Sequence, residues 1–149
     1  MATEYQLTLC GDATKEDIAV RAIPDAAERP ELTSSGRSLF ADLYQQRALG
    51  LSIISGPVTY LNADSDAGAW EWEPAPYVGV DFRMDNDRLN DGQRSMLEIV
   101  GRLLASGTED AALILDGNYL LLTRFDGVLR KPRRSWWDHY PYADKIIPG

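Results

Sequence analysis

Apolar and polar positions are patterned most clearly between residues 113 and 127, LILDGNYLLLTRFDG. Two apolar runs flank Asp116-Gly117-Asn118, and a second Asp-Gly stands at 126–127. Asp-Gly supplies the positive φ angles of tight hairpin turns, so the stretch predicts consecutive β-hairpins with strands near 111–115, 119–125 and 128–130. Period-two alternation also marks YQLTLCG at 5–11, where Tyr5, Leu7 and Leu9 stand against Gln6 and Thr8. In YVGVDFRM at 77–84, Val78, Val80, Phe82 and Met84 take one face and Gly79, Asp81 and Arg83 the other. LSIIS (51–55) and VTYL (58–61) predict two more strands around Gly56-Pro57.

Helical spacing appears in three places. Thr14-Lys15-Glu16-Asp17 matches a capping box, Ile18, Ala19, Ala22 and Ile23 then share a face, and Pro24 stops the helix. Leu39, Phe40, Leu43, Tyr44 and Arg47 have helical spacing that Gly50 ends. The strongest helix carries a stripe of Met96, Leu97, Val100, Leu103 and Leu104, with Asn90 as N-cap, Gln93 reaching back and Gly107 as C-cap. Residues 24–36 read as a loop, as do the acidic residues 62–76. The tail KPRRSWWDHYPYADKIIPG is aromatic and basic.

This order, with tight turns joining the last strands, predicts an α+β fold. It has a mixed, mostly antiparallel sheet of about five to seven strands, with two or three helices packed on one face. At 149 residues the chain reads as a single domain, 1–149, long enough to bury a core without staples. No apolar run approaches the ~20 residues of a membrane span. The N-terminus is polar with no basic n-region, so no signal peptide is expected. The lone Cys10 excludes an internal disulfide and a zinc-finger cluster. The expectation is a cytoplasmic protein with no membrane partner.

Net charge is −8, unevenly spread. Residues 62–92 hold eight acids against Arg83 and Arg88, whereas 124–134 hold five bases against Asp126. An acidic chain is repelled by phosphate backbones and steered towards basic partners. The short KPRRSWW run mixes bases with aromatics, but at −8 overall no nucleic acid partner is expected.

Catalytic and cofactor signals are weak. His139, the only histidine, has no cysteine or serine beside it in a nucleophile motif. DFRMDNDRLNDG opens like a calcium loop through Asp85, Asp87 and Asp91, yet lacks the glycine and glutamate that such a ligand set needs. Neither a dinucleotide fingerprint nor a phosphate loop is present, so no cofactor, metal or catalytic residue is assigned. An enzyme with a dispersed carboxylate site would require a cleft with two acids of strongly raised pKa.

The segment 62–76 differs, because long connections in compact domains often carry function. In extended form, Trp70 and Trp72 share one face and Glu71 and Glu73 the other. Aromatics anchor interfaces and acids steer partners, while the plainer reading has both tryptophans covering the core edge. The candidate partner-binding residues are Asp64, Asp66, Trp70, Glu71, Trp72 and Glu73, with Asp85 and Asp87 as a second acidic patch.

EYQLTLCG, VGVDFRMDND, QRSMLEIVGRLLAS, DAALILDGNYLLLTRFDGVL and WWDHYP occur in this order. Together they resemble the Sit-type immunity proteins, encoded beside toxins exchanged between kin bacteria in swarming-inhibition cassettes. The resemblance implies a non-enzymatic cytoplasmic protein that protects its producer by binding one cognate toxin. An acidic inhibitor suits a basic toxin. The alternative is a self-associating structural or regulatory domain, joined through a sheet edge or through Trp136, Trp137, Tyr140 and Tyr142.

Overall fold

The computed structural model describes residues 3–149. The chain runs β1 (Glu4–Cys10), α1 (Lys15–Ala22), β2 (Glu31–Leu32), β3 (Leu39–Leu43), α2 (Tyr44–Arg47), β4 (Leu49–Gly56), β5 (Leu61–Ser65), β6 (Gly68–Trp72) and β7 (Tyr77–Met84). It continues through α3 (Leu89–Ala105), β8 (Asp110–Leu115), β9 (Tyr119–Phe125), β10 (Val128–Arg130), α4 (Arg134–His139) and α5 (Ala143–Ile146). Among the described residues, ten strands form one sheet in the order β2-β3-β4-β7-β1-β8-β9-β5-β6, with β10 also on β9. Every pairing is antiparallel except the single β5–β9 contact at Asp64 and Tyr119. The mixed α+β class with a mostly antiparallel sheet therefore holds, with more strands and helices than the periodicity predicts.

The central strands hide alternate side chains beneath the helices. Tyr5, Leu7 and Leu9 of β1, Val78, Val80, Phe82 and Met84 of β7, and Leu49, Leu51 and Ile53 of β4 join Met96, Leu97, Val100 and Leu103 of α3 in the main core. The capping box at Thr14 forms as its sequence predicts, with Asp17 N donating to Thr14 Oγ1 at 3.0 Å. Asp116-Gly117 and Asp126-Gly127 all take positive φ, closing the two predicted hairpins.

A bulge interrupts the β8–β9 pairing after Leu113, so Leu121 and Leu122 both enter the main core. The indole of Trp137 donates to the Leu121 carbonyl at 2.8 Å. The tail thus folds back as α4 and α5, and Trp136 and Trp137 are buried. Gln93 also lies inside: its Nε2 donates to Tyr5 Oη at 2.8 Å, and Tyr142 Oη donates to its Oε1 at 2.7 Å. Both ends of this buried amide are satisfied, which is what makes its burial tolerable.

Several expectations are corrected. Residues 39–43 form a strand, with Leu39, Ala41 and Leu43 buried and Phe40 and Asp42 exposed. A four-residue spacing fits both a helix and a strand, so Leu39/Leu43 alone does not separate them. Only 44–47 is helical, and Ala48 with φ of 60° ends it ahead of Gly50. Residues 58–60 lie outside any strand, and the supposed loop 62–76 is mostly the β5–β6 hairpin. Asn90 does not cap α3. A 3₁₀ turn capped by Asp85 leads into that helix at Leu89, Gln93 points into the core, and Ser106 is the C-cap.

Arg21 reaches from α1 to Glu109, with Nη1 donating to Oε2 at 2.6 Å and Nη2 to Oε1 at 3.0 Å. These hydrogen bonds hold the Glu109 carboxyl below the usual carboxylate range, against the opposing effect of partial burial. A depressed folded-state pKa stabilises above the unfolded value and is lost as pH falls through the folded value. Glu109→Gln should therefore cost about 1.5–3 kcal/mol at neutral pH. In urea unfolding, its deficit against wild type should shrink as pH drops below about 4.3. A deficit that is the same at pH 7 and pH 3 would remove the charge from this account.

Candidate partner-binding surface

The β5–β6 hairpin has two chemically distinct faces because Leu61 pairs with Trp72, Asn62 with Glu71, Ala63 with Trp70 and Asp64 with Ala69. Leu61, Ala63, Trp70 and Trp72 turn inward over Ala112, Ile114 and Leu120. They form a second, smaller core on the side of the sheet opposite the helices. The tryptophan rings lie 6.2 Å apart, and Trp72 meets Phe125 edge-on at 5.1 Å. Both rings are half-buried. Trp70 and Trp72 share the inner face and Glu71 lies on the outer one, while Glu73 follows the end of β6 as an exposed residue; the tryptophans cover a core edge while keeping part of each ring in solvent.

The outer face is acidic. Asp64, Asp66, Glu71 and Glu73 are exposed. Tyr60 Oη donates to Glu71 at 2.7 Å, and this bond raises the tyrosine pKa. Asp66 accepts from Arg134 N at 3.3 Å, and Arg133 Nη2 approaches the Asp64 carbonyl at 3.4 Å while its guanidinium stacks on Tyr119. The hairpin is thereby fastened to the basic segment. Most of those bases are engaged internally. Arg124 donates to the Glu109 and Leu104 carbonyls, and Lys131 and Arg134 both pair with Asp144.

Asp85 and Asp87 lie apart from the hairpin, after β7. Asp85 is half-buried and accepts from Asp87 N at 3.0 Å, so its carboxylate serves as a cap; Asp87 is exposed. Strand pairing links the two predicted patches along one end of the sheet. Asn86 Oδ1 accepts from Thr3 N, Asp116 Oδ1 from Glu4 N at 2.8 Å, and the Asn118 carbonyl from Asp64 N at 2.6 Å. With strands about 4.8 Å apart, this rim runs across five of them, roughly 19 Å. Glu4 and Asp116 complete it. They were not legible as site residues, since only the pairing of β1 with β8 brings them together.

Asp81 is a further acid outside these two patches. It sits on the open side of β7, across from Gln6 of β1 and Ser52 of β4. Burial, followed by the nearby Glu4, pushes its carboxyl pKa up. His139 lies on the other side of the sheet, exposed on α4. The aromatic tail is not a sticky surface, because Trp136 and Trp137 are buried and Tyr140 and Tyr142 are half-buried. Cys10 is half-buried and unpaired. Among the described residues, no group of three His, Cys, Asp or Glu is placed to hold a metal ion, and no helix is long and apolar enough to cross a membrane.

Neither curated proteins nor solved structures return a match. A family model described as SitI3-like matches residues 3–141, from β1 through α4 and just beyond. That span includes the hairpin, the acidic rim and the buried tryptophans, and the chain belongs to the SitI3-like family.

Proposed function

We propose that this chain is a cytoplasmic immunity protein that binds a cognate bacterial toxin and blocks it by occlusion, without catalysis. The observation that carries the reading is the family match over residues 3–141. The surface chemistry supports it, since the exposed carboxylates of the hairpin and the sheet end favour a basic partner.

Within this reading the hairpin is the principal contact. Asp64, Asp66, Glu71 and Glu73 steer the toxin, and the exposed parts of Trp70 and Trp72 anchor it. Asp85 and Asp87 form a second contact at the other end of the rim. Pairing with β9 and the bonds to Arg133 and Arg134 hold the hairpin in place before binding, which lowers the ordering cost of association.

The test is co-expression with the protein encoded by the adjacent gene, scoring growth and co-purification together. Rescue of a growth defect together with a stable complex is the expected result. A toxic neighbour that is not neutralised would overturn the reading.

A further inference from the structure

The helices and the hairpin leave part of the sheet uncovered. On the side away from the helices, β3, β4, β7 and β1 present the cross-strand row Phe40, Ser52, Asp81 and Gln6. Phe40 is 42% exposed, and Ser52, Asp81 and Gln6 are half-buried. Glu4 and Arg83 form the neighbouring pair on the same face and are both exposed. Asp81 and Glu4 both line two concavities. One, of about 340 Å³, is lined by Phe40, Tyr44, Ser52 and Arg83 among others; the second, of about 190 Å³, includes Gln6 and Ile114.

The Asp81 carboxylate has no hydrogen bond or ion pair among the described residues. Glu4 adds a like charge beside it. A desolvated carboxylate without a partner lowers the stability of the free fold, and such groups concentrate where function requires them. The complementary group is a cation delivered from outside, and the flanking concavities give its side chain room.

We propose that this open sheet face is a second docking surface for the toxin, taking one of its lysine or arginine side chains against Asp81. The proposal rests on the immunity reading above and adds a contact lying away from the outer face of the hairpin. A charge-assisted pair formed in a partly desolvated site is stronger than one on the rim.

The experiment uses the full chain and the purified product of the adjacent gene. Asp81→Asn keeps the side chain's shape and removes its charge. The free variant should melt at or above the wild-type temperature at pH 7, while its affinity for the toxin falls at least tenfold. Ser52→Lys, which places a cation directly across from Asp81, should weaken binding in the same way. Wild-type affinity in Asp81→Asn with normal melting would overturn the docking proposal and leave the immunity reading standing. Failure of the wild-type chain itself to bind would overturn both, and that arm is read first.

Discussion

Trp137→Ala is expected to lower the stability of the free chain by about 3–5 kcal/mol. Trp137 is fully buried, among the largest side chains in the core, and packs edge-on against Trp136 at 5.0 Å. Its ring also carries Lys131 Nζ at 4.3 Å from the centroid. The indole nitrogen donates to Leu121 O in the segment where the β8–β9 register shifts. One residue thus fills the core, covers the bulge and docks α4, so truncation leaves a cavity and removes a donor from a buried carbonyl. Trp137→Phe separates the two effects: it keeps most of the volume, loses the donor, and should cost about 1–3 kcal/mol. Urea unfolding of both variants measures this. A loss below about 1 kcal/mol for the alanine variant would mean that α4 does not seal the core as described.

The second large effect concerns binding. Replacing Trp70 and Trp72 together by alanine should weaken the complex with the toxin by about 2 kcal/mol or more, the scale of an interface hot spot. The two rings also close the small core over Ala112, Ile114 and Leu120, so the double variant loosens the hairpin as well. Hydrogen exchange distinguishes the contributions. Loss of protection should be confined to β5, β6 and their neighbours on β9, with the main core unchanged. Glu71→Lys leaves both rings in place and should weaken binding through charge alone, with a smaller effect at high salt. Wild-type affinity in the double variant would remove the hairpin from the interface.

Much of the scaffold was legible because its signals are local. The turns at Asp116-Gly117 and Asp126-Gly127, the box at Thr14 and the alternation of 77–84 each specify their geometry within a few residues. The strand at 39–43 is not separable from a helix in the sequence, because its apolar spacing satisfies two periods at once. The hairpin at 61–72 was hidden by its composition. Acids and glycine suggest a loop, and the alternation of Leu61, Ala63, Trp70 and Trp72 gains meaning only when a second small core lies beneath it. The proposed contact residues stand out in the sequence only as residue types, and their arrangement depends on strand order. No local pattern shows that β1 lies between β7 and β8, and therefore none aligns Glu4 and Asp116 with the two acidic patches. Asp81 looked like an ordinary polar position on an alternating strand. Its lack of a partner is visible only in three dimensions.

Occlusion by a non-catalytic partner makes a stoichiometric demand. The most direct measurement is a titration of the purified toxin with this chain, following toxin activity and complex formation in the same samples. Activity should be lost in step with a saturable one-to-one complex, and affinity should decline as salt screens the acidic surface. Full protection at a small fraction of one equivalent, with no complex recovered, would contradict occlusion and point instead to a chain that modifies the toxin catalytically.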